Sequence, residues 1–413
     1  MKNVVLIVLD GWGLSPSWGG NALAMNNPKT IDSLWKNYPH AVLQALSVVS
    51  NSGPVCDSRL GHMLIGTGRK VESSLERINK SIRNRSFFRN ETLLGAIRWA
   101  QENNSNLHLL GMISDGGVHS HINHLFALLE LAKKKNFKRV YIDAITDGTD
   151  SGATDALRYI EKIQAKIKST GVGSFSSIGG RAFGMDRDEH WDRTSRYQRA
   201  LIDGKCEKYK TINEAVSANY RRGVNDEFIE PALILQEDAK EIKIKANDAI
   251  VFFNFREDRA RQLTRLFIDP HFKKFLWIPR KIEDLYFATF IDYEKKLPAK
   301  IVFPEADYNY TLSEILSERN LRQLKIAESE KYAHVTYFFN GGNEDAYPGE
   351  ERKIISSPSV DSYANAPAMS AKKVGEEIVK AIKSKRYGLI MANFANVDMV
   401  AHTGNILAVG KAV

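Results

Sequence analysis

The feature that most limits the fold of this chain is a repeated alternation of short apolar runs with amphipathic, helix-like segments. The run NVVLIVLD ends in Asp-Gly and is typical of a buried parallel strand with a polar residue at its carboxyl end. The segment TIDSLWKNY then has the apolar spacing of a helix. The alternation recurs in NLHLLGMISDGG with HINHLFALLELAKKKN, RVYIDAITDGTD with DALRYIEKIQAKIKS, DAIVFFNFRED with RARQLTRLF, and, helix first, SAKKVGEEIVKAIKS with YGLIMANF. It predicts an α/β fold of parallel strands that binds ligands at their carboxyl ends.

The length of the chain, 413 residues, exceeds what one hydrophobic core ordinarily serves, so two domains are expected. Two segments are candidates for the crossing between domains, the charged SLERINKSIRNRSFFRNE and the proline-containing FATFIDYEKKLPAKIVFPEA. If the first and last parts of the chain share one sheet, the middle is an inserted domain.

The composition, 43% hydrophobic and 26% charged, is that of a soluble globular protein. No apolar run reaches the roughly 18 residues that a membrane span needs. The first apolar run is followed directly by Asp10 and by no cleavage site, which favours a buried strand over a signal peptide. Cys56 and Cys206 are the only cysteines, which argues against a disulfide framework or a cysteine-based zinc site. These features favour a cytoplasmic protein with no membrane partner.

The net charge of +9 is scattered over several basic pieces that also contain acidic and apolar residues. Solvated helix faces explain this pattern better than a nucleic-acid surface does, and no recognised nucleic-acid motif is present. A small anionic substrate is the third alternative, since it needs only a few basic side chains in one pocket.

Asp10 ends the first apolar run, and Ser58 lies in the glycine-spaced segment CDSRLGHMLIGTGRK. Asp10 is either a metal ligand or a cap for the next turn, and Ser58 is either a nucleophile on a tight turn or a capping residue. The pattern G-x-S-x-G is not matched. A serine nucleophile needs a partner that stabilises its alkoxide, and a divalent metal held by Asp10 would serve as well as a histidine base.

Asp398 and His402 are four residues apart, just after the apolar run YGLIMANF. A carboxylate and an imidazole at this spacing suit one Mn²⁺ or Zn²⁺ ion. A polar loop that also includes Asn393 and Asn405 is the alternative.

Three histidines, His119, His121 and His124, follow another strand-like run, but their spacing is not a familiar zinc pattern. One imidazole that donates to an anion is the preferred interpretation, with helix capping as the alternative.

Four arginines occupy positions suited to binding a carboxylate or phosphate. Arg181 and Arg187 lie in a glycine-containing loop, and Arg256 and Arg259 are three apart at a strand-to-helix junction, where a helix would turn both to one face. Surface salt bridges with neighbouring acidic residues are the alternative. Lys331 precedes the strand-like HVTYFFN, and either extends from a helix end or points into a phosphate pocket.

Taken together and in this order, the motifs resemble those of the cofactor-independent (2,3-bisphosphoglycerate-independent) phosphoglycerate mutases, from Met1 almost to the last residue. The matching motifs are VLIVLDGWG, SRLGHMLIGTGR, RINKSIRNRSFF, SDGGVHSHINHLFALLELA, MDRDEHWDR, VFFNFREDRARQLTR, ESEKYAHVTYFFNGG and NFANVDMVAHTGN. The resemblance implies an alkaline-phosphatase-like metal domain with an inserted second α/β domain. It also implies interconversion of 3-phosphoglycerate and 2-phosphoglycerate through a phosphoserine.

The resemblance further implies a role for each site residue. Ser58 would be the nucleophile and would bind one Mn²⁺ together with Asp10, and Asp398 and His402 would bind a second Mn²⁺. Asp150 would be the general acid or base at the glycerate hydroxyl. The residues expected to hold the phosphate and glycerate are His119, Asp150, Arg181, Arg187, Arg256, Arg259 and Lys331. A monomer is expected, with residues 1–75 and 312–413 as the metal domain and 76–311 as the inserted domain.

The chain departs from the family pattern at several positions. Asp57-Ser58-Arg59 replaces Asn-Ser-Glu, Asp147-Gly148-Thr149-Asp150 replaces Asp-Gly-Arg-Asp, and Ala401 replaces a glycine. The family's next block, Thr-Ala-Asp-His-Gly-Asn, would lie beyond Val413, so each metal is expected to lack some protein ligands. A related metal-dependent phosphohydrolase, in which the missing arginine lets glycerate escape, and a non-catalytic remnant are the alternatives.

Overall fold

The computed structural model describes residues 3–15, 19–26, 28–43, 47–50, 53–56, 58–273, 282–304 and 308–413, with only the backbone at 47–50 and 53–56. Asp57 and the side chain of Cys56 lie outside these described residues. The chain divides into two compact units. Unit 1 comprises Met1–Val48, Val55–Val71 and Ala306–Val413, and unit 2 comprises Val49–Pro54 and Glu72–Glu305. The domain ranges expected from the sequence, 1–75 with 312–413 and 76–311, stay a prediction.

The strands and helices of the described residues alternate along most of the chain. The strands are β1 (Val4–Leu9), β2 (Ser47–Ser50), β3 (Gly53–Cys56), β4 (Leu107–Met112), β5 (Val140–Thr146), β6 (Ser174–Gly180), β7 (Glu207–Tyr209), β8 (Ala232–Ile234), β9 (Ala249–Phe252), β10 (Tyr286–Thr289), β11 (Lys300–Ile301), β12 (Gln323–Glu328), β13 (Glu350–Ile355) and β14 (Leu389–Phe394). The α-helices are α1 (Ala22–Met25), α2 (Lys29–Asn37), α3 (Ser58–Thr67), α4 (Ser74–Arg83), α5 (Glu91–Glu102), α6 (Ile122–Lys134), α7 (Ala156–Thr170), α8 (Arg181–Gly184), α9 (Trp191–Asp203), α10 (Ile212–Arg221), α11 (Glu257–Ile268), α12 (Leu312–Glu318), α13 (Ala371–Ser384), α14 (Asn396–Ala401) and α15 (Ile406–Ala412). Every strand and helix pair predicted from the alternating pattern is present.

Local signals explain where several helices begin and end. Ser73 and Glu76 form a reciprocal capping box at the start of α4, and Thr311 and Glu314 form another at the start of α12. Gly171, in the left-handed conformation, ends α7. These short-range interactions satisfy backbone groups that a helix end leaves unpaired.

Unit 1 is built on a four-stranded sheet in the order β1-β14-β12-β13, and all its neighbouring strands are parallel. The register pairs Val4 with Leu389 and Leu9 with Phe394, so β1 and β14 end side by side. The carboxyl ends of parallel strands lie at one edge of the sheet. This edge therefore receives the residues that follow β1, β12 and β14.

Unit 2 is built on an eight-stranded sheet in the order β11-β10-β9-β4-β5-β6-β8-β7. Its strands from β11 to β6 are parallel, but β8 pairs with β6 in the antiparallel direction. The prediction of parallel strands throughout is wrong at this end of the sheet. The strands β7 and β8 have three residues each, too few for the long apolar run that identifies a buried parallel strand.

A fully buried ion pair lies inside the sheet of unit 2. His108 on β4 places its Nδ1 2.8 Å from Oδ2 of Asp143 on β5, and its Nε2 lies 3.6 Å from Oδ2 of Asp248. Burial lowers the pKa of His108, but the two carboxylates outweigh this and raise the pKa to about 9. The imidazole is therefore protonated at neutral pH and contributes a charge to the interior of the sheet.

The segment HVTYFFN, expected to be a strand, is helical instead. Residues His334–Phe338 form a π-helix that packs against α3. A Cβ atom on Gly66 of α3 would lie 1.9 Å from the carbonyl oxygen of Phe339, so only glycine permits this close approach. Packing against α3 thus overrides the strand preference of the aromatic and β-branched residues.

No helix within the described ranges combines the length and the apolar character that crossing a membrane requires.

Candidate active-site residues in two units

Asp10 follows β1 in unit 1 and is buried, with 7% of its surface exposed. Its Oδ1 accepts hydrogen bonds from Ser58 Oγ at 2.8 Å and from the backbone N–H of Gly11 at 3.2 Å. Its Oδ2 lies 2.9 Å from Lys331 Nζ and accepts from Asn393 Nδ2 at 3.2 Å. Burial raises the pKa of Asp10, but the charge of Lys331 and these hydrogen bonds outweigh it, so the pKa is lowered and Asp10 is ionised.

A glycine brings Asp398 close to Asp10. Gly11 has a φ of +77°, and a Cβ atom there would lie 2.6 Å from the Cα of Asp398 in the first turn of α14. Both the backbone conformation and the close approach therefore require the glycine of the Asp-Gly sequence. His402, at the end of α14, is largely exposed and places its Nε2 3.7 Å from Asp398 Oδ2. The polar-loop alternative for Asp398 and His402 is wrong, because α14 is helical and Asn393 lies within β14.

Lys331 lies between the two carboxylates of unit 1. It ends the 3₁₀ helix Ser329–Lys331 that follows β12, and it is buried. Its Nζ donates to Asp398 Oδ2 and pairs with Asp10 Oδ2. Burial lowers the pKa of Lys331, whereas Asp10 and Asp398 raise it and prevail. The ammonium group is thus a cation held by two acidic side chains. The carboxylates of Asp10 and Asp398 therefore suit the binding of a positive charge, such as a metal ion.

Ser58 is the first residue of α3, and its hydroxyl points to Asp10. One turn later, His62 places Nδ1 2.7 Å from the carbonyl oxygen of Ser58 and Nε2 3.0 Å from Asn393 Nδ2. Burial lowers the pKa of His62, and Lys331 acts in the same direction, so the ring is neutral despite the opposing effects of Ser58 and Asp10. The sequence does not reveal that His62 and Asn393 are partners of Ser58 and Asp10, because this proximity depends on the fold.

In unit 2, Arg181 begins α8 directly after β6 and is almost fully buried. Its Nη1 donates to Asp147 Oδ1 at 2.6 Å and to Asp150 Oδ2 at 2.8 Å. Thr149, between these two acids, donates its backbone N–H to Asp147 Oδ1 at 3.2 Å. Arg181 therefore fixes the loop after β5 and holds Asp150 in one orientation.

Asp258 connects the remaining basic residues of unit 2. Its carboxylate lies 3.6 Å from His119 Nδ1, 3.1 Å from Arg187 Nη1 and 3.2 Å from Arg256 Nε. Burial raises the pKa of Asp258, but Arg256 and His119 lead the opposing effects that lower it. The sequence predicts salt bridges between these arginines and neighbouring acids, but it does not show that one carboxylate serves several basic residues.

The positive charges of this group repel one another. His119 is buried and lies 3.8 Å from Asp150, and burial together with Arg181, Arg256 and Arg259 lowers its pKa to about 3, against the pull of Asp258. Burial, Arg181 and Arg187 likewise lower the pKa of Arg259. The structure thus gathers six of the predicted substrate residues in unit 2, and Lys331 lies with the metal-site residues of unit 1. A surplus of guanidinium groups in one place favours an anion.

A further group in unit 2 has a geometry that a metal could use. Asp186, Asp188 and His190 each offer one ligand atom, and these atoms lie within 4.8 Å of one another. Asp188 and His190 are exposed, and Asp186 already accepts a hydrogen bond from the backbone N–H of His190 at 2.9 Å. This group is not among the metal ligands predicted from the sequence.

Known proteins of one family are similar to this chain over its whole length. Residues 78–295 match the protein family described as the BPG-independent PGAM N-terminus. The chain is 43% identical to the 2,3-bisphosphoglycerate-independent phosphoglycerate mutase of Moorella thermoacetica, over all of this chain and 80% of that protein. It is 44% identical to the protein of the same name from Clostridium novyi, over all of this chain and 81% of that protein.

A solved structure of the Leishmania mexicana phosphoglycerate mutase, determined at low cobalt concentration, has the same fold. The TM-score is 0.69 at 28% identity, with coverage of all of this chain and 77% of that one. This agreement confirms the α/β fold expected from the motifs. The chain belongs to the family of 2,3-bisphosphoglycerate-independent phosphoglycerate mutases.

Proposed function

We propose that this chain interconverts 3-phosphoglycerate and 2-phosphoglycerate through a phosphoserine at Ser58. The observation that carries the proposal is the hydrogen bond from Ser58 Oγ to Asp10, beside the cation of Lys331, in a chain of this family. An ionised carboxylate orients the hydroxyl, and nearby positive charge favours its alkoxide and the incoming phosphoryl group.

We propose two Mn²⁺ ions in unit 1, one held by Asp10 and Ser58 and one by Asp398 and His402. Oxygen donors with one imidazole suit this metal, and the ammonium group of Lys331 between the carboxylates supports a cationic occupant. When bound, such ions would stabilise the serine alkoxide and neutralise phosphoryl charge. The metal domain would comprise residues 1–75 and 312–413.

In the proposed reaction, Ser58 Oγ gives its proton to Asp10, its hydrogen-bond acceptor, and forms a bond to phosphorus as the bond from phosphorus to the glycerate oxygen breaks, and that oxygen takes a proton. The second glycerate hydroxyl then loses a proton and attacks phosphoserine, and Ser58 Oγ leaves phosphorus and takes its proton back from Asp10. Asp150, held by Arg181, is the proposed group that gives and takes the proton of the glycerate oxygens. The groups proposed to hold the phosphate and carboxylate are His119, Arg181, Arg187, Arg256, Arg259 and Lys331.

We also propose that the chain acts as a cytoplasmic monomer on this small substrate, without nucleic acid or membrane. The scattered basic charge and the low cysteine content support the proposal.

An assay of the purified chain with Mn²⁺ and 3-phosphoglycerate tests the function. Formation of 2-phosphoglycerate is the expected result. Release of free phosphate in its place would indicate a phosphohydrolase and would overturn the proposal. Restoring the family arginine, as Thr149→Arg, separates the two activities further, because it should raise the ratio of 2-phosphoglycerate to phosphate.

A further inference from the structure

Four hydrogen bonds in unit 1 close a ring that begins and ends on the proposed nucleophile. Ser58 Oγ donates to Asp10 Oδ1 at 2.8 Å, and Asn393 Nδ2 donates to Asp10 Oδ2 at 3.2 Å. The same Nδ2 lies 3.0 Å from His62 Nε2, and His62 Nδ1 lies 2.7 Å from the carbonyl oxygen of Ser58. These four residues, Asp10, Ser58, His62 and Asn393, are called the Ser58 ring below.

Two acceptors, the backbone carbonyl of Ser58 and the carboxylate of Asp10, determine the direction of every hydrogen bond in the Ser58 ring. A backbone carbonyl only accepts, so His62 Nδ1 carries a proton and donates it to Ser58. The carboxylate of Asp10 also only accepts, so Asn393 presents its amide nitrogen rather than its oxygen. The second hydrogen on that nitrogen then requires His62 Nε2 to be an unprotonated acceptor. One arrangement of protons, with His62 as the Nδ1–H tautomer, satisfies all four contacts.

The surroundings hold this arrangement in place. His62 is 2% exposed and Asn393 is fully buried, so bulk water does not replace their hydrogen bonds. The ring of His334, in the π-helix after Lys331, contacts the ring of His62 edge-on with centroids 5.2 Å apart. Asn393 Oδ1 has no hydrogen-bond partner among the described residues, so Nδ2 alone makes the polar contacts of that side chain.

We infer that His62 and Asn393 are positioning residues that orient Asp10 and Ser58. The inference rests on the proposed function for the role of Ser58, but it concerns two residues outside the proposed catalytic, substrate-binding and metal-binding sets. Asn393 fixes the rotation of the Asp10 carboxylate, and His62 fixes both Asn393 and the first turn of α3. The hydroxyl of Ser58 and the carboxylate of Asp10 are therefore held in a set orientation before any cation binds.

The test compares His62→Phe, Asn393→Leu and the double variant with the wild-type chain. Thr67→Val is the matched control, because Thr67 is also buried on α3 and the variant loses hydrogen bonds of the hydroxyl to the carbonyl of Met63 at 2.7 Å and to the backbone of Arg69. Mn²⁺ affinity is measured by calorimetry, and kcat and KM by conversion of 3-phosphoglycerate. Each single variant should lose roughly 10- to 100-fold in Mn²⁺ affinity and in kcat, the range found for partners of metal ligands, with KM changed less than about threefold.

The double variant should lose about as much as one single variant, because either change opens the Ser58 ring. The control should match the wild-type chain in Mn²⁺ affinity and kcat. Multiplying losses in the double variant, or wild-type Mn²⁺ affinity in either single variant, would overturn the inference. Wild-type protein without measurable Mn²⁺ affinity would also overturn it.

Nitrogen-15 NMR of the wild-type histidines adds a measurement that does not depend on activity. The resonances that His62→Phe or His62→Gln removes should belong to a neutral ring protonated on Nδ1. A ring protonated on Nε2 would overturn the inference. If the tautomer and the Mn²⁺ affinities are as expected but no 2-phosphoglycerate forms, the proposed function fails and the positioning of Asp10 stands.

Discussion

The two groups of proposed site residues have opposite electrostatic character. In unit 1, the carboxylates of Asp10 and Asp398 enclose the single ammonium group of Lys331. In unit 2, several guanidinium groups share the carboxylates of Asp147, Asp150 and Asp258. Two carboxylates around one ammonium group favour a cation, and a cluster of guanidinium groups favours an anion. The comparison teaches that the residues proposed to hold the cation and to act as nucleophile belong to unit 1, and that most of the residues proposed to bind the anionic substrate belong to unit 2.

Ser58→Ala tests the proposed nucleophile of unit 1, and it has the largest expected effect of these variants. Because the variant has no oxygen to accept the phosphoryl group, mutase turnover should fall by at least about a thousandfold. Production of 2-phosphoglycerate is the measurement, with the exposed Ser86→Ala as control. Substantial residual mutase activity in Ser58→Ala would remove Ser58 from the mechanism.

Arg181→Met tests the buried charges of unit 2. The change leaves Asp147 and Asp150 without their shared partner, so the free energy of unfolding should fall by about 3–5 kcal/mol. Arg187→Met breaks an exposed pair with Asp258 and should cost at most about 1 kcal/mol. Urea denaturation of both variants checks the contrast. Equal losses would show that burial does not distinguish the two arginines.

The ion pair of His108 predicts a pH dependence confined to unit 2. Its pKa is about 9 in the folded chain, against about 6.5 for a free histidine. The stabilisation is fully present below about pH 6.5 and is lost as the pH rises through 9, at a slope of up to about 1.4 kcal/mol per pH unit. Urea midpoints between pH 6 and pH 9.5 measure it, and His108→Gln should flatten the profile. An unchanged profile in that variant would contradict the assignment.

Lys331→Met tests the single positive charge among the carboxylates of unit 1, and it has the smallest expected effect of these variants. Without the ammonium group, Asp10 and Asp398 repel each other, so the metal-free variant should melt at a lower temperature than the wild-type chain. Mn²⁺ no longer has to displace a lysine, so Mn²⁺ affinity should rise roughly tenfold, or about 1.4 kcal/mol. Melting curves with and without Mn²⁺ and calorimetry measure both effects. Weaker Mn²⁺ binding in this variant would show that Lys331 does not compete with the metal.

The sequence predicted the parts of the fold that depend on regular periodicity. Long apolar runs identified β4, β5 and β14 because a strand buried on both faces needs apolar residues at every position. The same pattern identified β1, but the expectation that β1 is buried is wrong, since Val4 and Ile7 are exposed on this first strand of the four-stranded sheet. The π-helix His334–Phe338 was missed because its cause, the approach of Phe339 to Gly66, lies far away in the chain. The short antiparallel strand β8 offered too few residues for any pattern.

The candidate site also contains residues that the sequence indicates and residues that only the fold brings together. The sequence indicates Asp10 as a candidate because it ends an apolar run, and Arg181 because an arginine in a glycine-containing loop suits an anion. His62 and Asn393, 331 positions apart, become partners only through the register of the fold. Asp258 was considered only as a salt-bridge partner of the neighbouring arginines, since a chain does not reveal which of several nearby charges will share one carboxylate.

Trapping the phosphoserine is the most direct test of the central claim. The purified chain is incubated with Mn²⁺ and 3-phosphoglycerate, quenched in acid and examined by mass spectrometry, with Ser58→Ala treated in parallel. The account predicts a phosphate on the peptide that contains Ser58, together with 2-phosphoglycerate in solution, and neither in the variant. Formation of 2-phosphoglycerate in the variant, or no phosphate on Ser58 in the wild-type chain, would contradict it.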